Sequence, residues 1–282
     1  MITNKNTPGS FDYIEIQNAS ANARVALQGG HLFHYQQLHR KPLIWLSGKS
    51  PFEKGKAIRG GIPVCWPWFG QHPTDSSLPQ HGLARTSLFE LIDSQEPDEN
   101  STELLLQLQS SAETLSIWPY RFQLLLKITV GPALTLALTT KNSDTKPFTI
   151  TSALHSYFAI DDIGKVSVQG MDETEYLDLL TNQTLIQRGS IHIDKEVDRV
   201  YRKSANTALL LDGTRTVQIR SEGSSSTVIW NPWSDKSKSM SDMEDDSYQT
   251  MLCIETANAK QDARTIASGE EHCLKVSLTE SV

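Results

Sequence analysis

Residues 122–140 read FQLLLKITV-GP-ALTLALTT. Two apolar-rich runs, Phe122–Val130 and Ala133–Thr140, are separated only by Gly131-Pro132. Runs of this length with a Gly-Pro break predict two strands of a hairpin joined by a tight turn. Working outward, the same texture recurs on both sides. Tyr13–Ile16, Arg24–Leu27, Leu32–Tyr35, Leu43–Leu46, Ser87–Ile92 and Glu103–Leu108 precede the hairpin. Phe148–Phe158, Lys165–Val168, Ala208–Leu211, Thr216–Ile219, Thr227–Trp230, Thr250–Thr256 and His272–Leu278 follow it. Many short strands with turn signals between them predict an all-β chain, a large antiparallel β-sandwich with a few short helical turns. No stretch has linker composition, so one domain over 1–282 is expected.

Helix signals are few. Ser111 can cap a turn or two that ends before Pro119, and Glu173–Leu180 and Ala259–Ile266 each suggest a brief helical turn. The polar run Ser234–Asp246, SDKSKSMSDMEDD, reads as a mobile loop between strands.

The formal net charge of -7 argues against a general nucleic-acid or anionic-membrane surface, so neither partner is expected. Three cysteines, Cys65, Cys253 and Cys273, form no CxxC pair, which disfavours a disulfide framework and fits a reducing compartment. The first residues lack an apolar leader and no run has the length of a membrane span, so a cytoplasmic protein is expected. No histidine grouping has zinc spacing, and neither a metal nor any other cofactor is assigned.

One segment fits neither period. Ala57–Arg85, AIRGGIPVCWPWFGQHPTDSSLPQHGLAR, combines Trp66, Trp68 and Phe69 with four prolines and four glycines. Such a composition predicts a shaped loop. Its rings could floor a sugar site or simply plug one end of the sandwich. Arg59, His81 and Arg85 would converge on an anion or polar ligand if the loop folds on itself.

Two residues stand out on the strands. His155 lies in TITSALHSYF, where alternation sets Thr151, Ala153, His155 and Tyr157 on one face. Glu255 lies in TMLCIET beside Met251 and Cys253, with Leu252 and Ile254 opposite, so both faces are apolar. A carboxylate there is either a structural group with a buried partner or a general base with a raised pKa. Asp198, in VDRVY, can be a surface ion pair or a ligand group.

The ordered set AIRGGIPVCWPWFG, LPQHGLAR, TSALHSYF, DRVY, WNPW and CIETA, spanning Ala57 to Ala257, resembles the hexose-6-phosphate mutarotases. These are the glucose-6-phosphate 1-epimerases, a branch of the galactose-mutarotase-like enzymes. The resemblance implies a supersandwich whose concave sheet holds one sugar. It implies His155 as acid at the ring oxygen and Glu255 as base at the anomeric hydroxyl. It implies His81 and Asp198 on sugar hydroxyls, and Arg59, Arg85 and Gln80 around the phosphate. The implied partner is a small-molecule hexose 6-phosphate, with a monomer as the expected state. Leu83 and Ser156 depart from the expected aromatic and threonine without removing a polar group the chemistry needs. Two other functions remain open: an aldose 1-epimerase acting on free hexoses, and a non-catalytic sugar-phosphate-binding protein.

Overall fold

The computed structural model describes residues 1–7, 11–202, 204–213 and 215–281. The hairpin forms: Phe122–Val130 pairs with Leu134–Asn142 in register from Val130↔Leu134 to Phe122↔Asn142. The turn is closed by the Gly131 N–H on the Ala133 carbonyl, and the Tyr35 hydroxyl donates to the Gly131 carbonyl at 2.8 Å. Leu124, Leu126, Ile128, Val130, Leu134, Leu136 and Leu138 all point into the main core. Their partners one residue on face out, as a period-2 pattern requires.

Three larger sheets result, and every strand pair in them is antiparallel. An N-terminal four-stranded sheet runs Ile2–Thr7, Phe11–Gln17, Ala21–Ala26, His31–Gln37. The hairpin belongs to an outer eight-stranded sheet ordered Val166–Gln169, Thr207–Asp212, Arg215–Glu222, Glu271–Ser281, Leu134–Asn142, Phe122–Val130, Ser101–Gln109, Glu90–Asp98. A second eight-stranded sheet is ordered Gln183–Ile186, Glu175–Asp178, Val197–Arg202, Ser226–Asn231, Met251–Asn258, Ser152–Leu154, Val64–Cys65. Tyr157–Ala159 also pairs with Met251–Asn258 in that sheet. The main core lies between the two eight-stranded sheets, drawing Leu126 and Leu136 from one and Ile229, Leu252 and Ile254 from the other.

Several local expectations change under packing. Ser111 does cap a helix, Ala112–Ile117, with a reciprocal Ser111/Thr114 capping box. Glu173–Leu180 is not helical: Glu175–Asp178 is a strand, because pairing with Val197–Arg202 puts Tyr176 against Tyr201, ring centroids 5.0 Å apart. Ala259–Ile266 holds one 3₁₀ turn, Lys260–Asp262, and then a strand Arg264–Ile266 on Phe148–Ile150. Leu43–Leu46 contributes bridges at Ile44 and Leu46 rather than a full strand. Ser234–Asp246 is not a loose loop, since Trp233–Ser239 is a helix. Trp233 packs on Tyr248 at 5.0 Å and Met243 is fully buried, which fixes the segment.

Cys65 and Cys253 are buried free thiols and Cys273 is an exposed one. Among the described residues no helix is long and apolar enough to cross a membrane.

Candidate active site

The 57–85 segment folds over one face of the second eight-stranded sheet and is shaped as its composition predicts. It contributes only the two-residue strand Val64–Cys65 and the 3₁₀ turn Ala84–Thr86. Its tryptophans are plugs. Trp66 is fully buried, donates to the Thr140 hydroxyl at 3.0 Å and packs on Trp118 and Phe122. Gly82 is obligatory, because a Cβ there would fall 2.1 Å from the Trp66 carbonyl oxygen. That close approach turns the chain so that His81 takes a left-handed φ of 65°. Non-glycine residues held in that region concentrate at functional sites.

Beneath this segment lies a cavity of about 180 Å³. Arg59, Gln80, His81, Arg85, His155, Asp198 and Glu255 all line it, so the structure brings together every residue singled out in the sequence. Phe69, one of the loop rings that could floor a sugar site, lines it too, whereas sequence reasoning missed most of the other walls: Tyr157, Trp230, Leu179, Val228, Met240 and Lys236. Tyr157 shares the face of His155 and Trp230 sits in the WNPW motif, which were available signals. Lys236 and Met240 were hidden in a run that reads as solvated.

The sheet explains the pairing at the centre. Leu154 pairs with Thr256 and Tyr157 with Cys253, so the intervening register sets His155 directly opposite Glu255. Cross-strand neighbours on one face lie within side-chain reach. Here His155 Nε2 is 3.3 Å from Glu255 Oε1. Along each strand the flanking residues on that face are apolar: Ala153 and Tyr157 beside His155, Cys253 and Ala257 beside Glu255. The pair therefore sits in a seam between two hydrophobic clusters. Glu255 is 1% exposed, and among the described residues its Oε2 has no hydrogen-bond partner and no arginine or lysine pairs with the carboxylate.

Electrostatics follow from that burial. Desolvation, and then the Asp198 carboxylate, push the Glu255 carboxyl well above its usual range. Desolvation, then the neighbouring His81 imidazole and the Arg59 and Arg85 guanidinium groups, hold the His155 imidazole well below its own. Each group resists ionising alone, so the pair holds one proton between them. A single transfer across 3.3 Å converts carboxylic acid plus imidazole into carboxylate plus imidazolium.

His81 accepts the Gly70 N–H on Nδ1 at 3.2 Å, so its neutral form carries its proton on Nε2. Burial, then Arg85 and Arg59, lower its pKa to about 3, which keeps it neutral near pH 7. Burial pushes the Asp198 carboxyl up to about 6. Arg59 is engaged on two sides: Nε and Nη2 lie 3.1 and 3.0 Å from Asp242 Oδ2, and Nη1 donates to the Tyr157 hydroxyl at 3.1 Å. Arg85 donates from Nη2 to the Gln80 backbone carbonyl at 2.5 Å. Lys236 pairs with Glu196 at 3.1 Å. Among the described residues no three His, Cys, Asp or Glu side chains cluster closely enough to hold a metal ion.

Comparison with known proteins gives a consistent result. A family profile described as Aldose 1-epimerase matches residues 12–279. A protein of Salmonella typhimurium named "Putative glucose-6-phosphate 1-epimerase" is 36% identical over 253 residues, covering 88% of this chain and 84% of that protein. One of the same name from Cenchrus ciliaris is 34% identical over 286 residues, covering 97% and 86%. A crystal structure of a "putative mutarotase" from Salmonella typhimurium superimposes with a TM-score of 0.93 at 32% identity, covering 99% of this chain and 93% of that one.

Proposed function

The chain belongs to the aldose 1-epimerase family, and from that premise we propose that it interconverts the α and β anomers of a hexose 6-phosphate, glucose 6-phosphate foremost. The observation that carries the reading is the pairing of Glu255 with His155. A structural carboxylate in a strand buried on both faces would be met by a guanidinium or backbone amides; among the described residues this one has the imidazole of His155 as its polar partner and no guanidinium or ammonium. Such a pair is arranged to exchange a proton with something placed between its members and the cavity.

The reaction needs one acid and one base together. With the pair in its imidazolium–carboxylate form, Nε2 of His155 gives its proton to the ring oxygen. Glu255 takes the proton of the anomeric hydroxyl. The bond from the anomeric carbon to the ring oxygen breaks and the electron pair left on the hydroxyl oxygen completes the aldehyde carbonyl. His155 is then neutral and Glu255 protonated, which is the state that burial favours in the empty site. Rotation about the adjacent carbon–carbon bond presents the other carbonyl face, and reclosure returns both protons. The pair's single proton thus serves both directions without exchange with solvent.

His81 donates from Nε2 and Asp198 accepts, which suits them to orient ring hydroxyls. Trp230 and Phe69 offer apolar surface to the sugar faces. Arg59, Arg85 and Gln80 hold the phosphate in this reading. Arg59 retains one N–H on each terminal nitrogen beyond its bonds to Asp242 and Tyr157. The same reading places a monomer in the cytoplasm.

Anomer exchange followed by saturation-transfer NMR tests the proposal on glucose 6-phosphate and glucose side by side. Exchange well above the spontaneous background, and at least about tenfold faster for the phosphorylated sugar, is expected from one charge-assisted phosphate contact. Equal rates on both sugars would identify an enzyme of free hexoses. No acceleration on either would identify a binding protein.

A further inference from the structure

His155 lacks what usually fixes a catalytic imidazole. Its Nδ1 has no hydrogen-bond partner on another residue among those described, where a carboxylate or carbonyl would ordinarily set tautomer and ring plane. Yet the ring is not loose. It lies flat on Tyr157, centroids 4.7 Å apart and planes inclined by 11°. Tyr157 is backed in turn by Trp45, stacked at 5.9 Å and 21°. The edges of His81 and Trp230 close the remaining sides at 5.7 and 6.1 Å. Tyr157 is itself pinned by its hydroxyl, which accepts from Arg59. Arg59 is anchored by Asp242.

We propose that Tyr157 is the positioning residue of this site: its ring, clamped between Trp45 and His155, sets the plane of the imidazole that a hydrogen bond at Nδ1 would otherwise set. Through its hydroxyl Tyr157 also links the stacked imidazole to Arg59, so the group read above as a phosphate ligand braces the proton donor by way of the tyrosine. This inference rests on the acid role given to His155. The physical basis is that an offset, near-parallel ring contact has a preferred geometry, whereas a merely apolar neighbour does not. A reacting group displaced by about 1 Å can lose about a hundredfold in rate.

Three variants test it: Tyr157→Phe, Tyr157→Met and Trp45→Met. Anomer exchange is measured with the whole chain and glucose 6-phosphate, and ring ¹⁵N shifts are recorded on histidine-labelled protein. The His155 signals are assigned by their loss in His155→Asn. Tyr157→Phe keeps the stack and gives up one hydrogen bond, so kcat falls by only about three- to fivefold. Tyr157→Met fills similar space without a flat face, so kcat falls about ten- to a hundredfold while KM stays within about threefold. The two His155 nitrogens, well separated in wild type and Tyr157→Phe as in one fixed tautomer, move towards averaged values in Tyr157→Met. Trp45→Met removes the backing ring from outside the cavity and produces the same two changes to a lesser degree, which decides the matter should Tyr157→Met fail to fold. Wild-type kcat or an unmoved nitrogen separation in a folded methionine variant would overturn the proposal. So would equal losses in Tyr157→Phe and Tyr157→Met, which would give the effect to the hydroxyl alone. A wild-type protein without anomer exchange would defeat the functional reading instead, and the nitrogen shifts would still judge the stacking.

Discussion

The two eight-stranded sheets have similar size and antiparallel pairing but opposite burial logic. In the outer sheet, Phe122–Val130 and Leu134–Asn142 alternate between core and surface residue by residue. In the second sheet, Ser226–Asn231 and Met251–Asn258 are buried at every position. The difference lies in what covers the face away from the main core. The outer sheet meets water there. The second sheet is roofed by the 57–85 segment and by the helix Trp233–Ser239 with the turns after it, and that roof encloses the cavity. A polar side chain on the outer face of the first sheet is simply hydrated. The same residue type on the roofed face is desolvated, and its pKa and reactivity change with it. The contrast teaches that one sheet stabilises the molecule and the other is placed to do chemistry.

Substitutions can break or sharpen that division. The largest effect is expected at the paired residues. His155→Asn and Glu255→Gln preserve shape but not proton exchange, so each should lower kcat by about two to four decades. The melting temperature should stay near wild type for both, because each replacement keeps the shape and the neutral state that burial favours. Calorimetry beside NMR exchange measures both. A folded Glu255→Gln protein exchanging at the wild-type rate would end the acid–base assignment.

The outer sheet should respond in the reverse sense. Leu126→Ala opens a cavity in the main core, where Leu126 is fully buried. About 2–5 kcal/mol of unfolding free energy should be lost in denaturant titration. The kcat of the folded fraction should remain near wild type, and a large fall would mean the sheets are not separable in function.

Next come the arginines. Arg85→Ala should raise KM for the phosphorylated sugar by about one to two decades, with little change for the free sugar or in kcat. Arg59→Ala should raise KM similarly and also lower kcat, because Arg59 holds the Tyr157 hydroxyl. Identical kinetic signatures for the two variants would remove that distinction.

The smallest effect concerns stability and pH. Asp198 titrates near 6 in the folded protein against about 3.9 unfolded, so between those values the folded state binds more protons. Its contribution therefore weakens as pH rises through that window. Asp198→Asn should gain on wild type above about pH 6, by up to about 3 kcal/mol, and match it near pH 4. Urea midpoints at several pH values measure this, and a pH-independent difference would contradict it. His81 acts with the opposite sign: held neutral by burial down to about pH 3, it withholds a proton that the unfolded chain binds below about pH 6.5. Stability from that group is lost as pH falls.

The alternating runs of the outer sheet were legible because period 2 is a local property, carried in FQLLLKITV and its partner without reference to the rest of the chain. The ordered motifs pointed to Arg59, Gln80, His81, Arg85, His155, Asp198 and Glu255, all of which line the cavity. Glu255 was conspicuous because TMLCIET is apolar on both faces, which already implied a roofed strand. The helix Trp233–Ser239 was not legible, since SDKSKSMSDMEDD is polar but for Met240 and Met243 and has no helical apolar period; its order comes from Met243 buried in the core and from Trp233 packed on Tyr248. What only the tertiary structure decided is which side chains face one another. Cross-strand register brings His155 opposite Glu255, and chain folding brings Arg59 between Asp242 and Tyr157. The sequence determines the strands and the residue types because propensity and alternation act between near neighbours. The site's geometry and proton states depend on register and desolvation, which arise only when distant segments pack together.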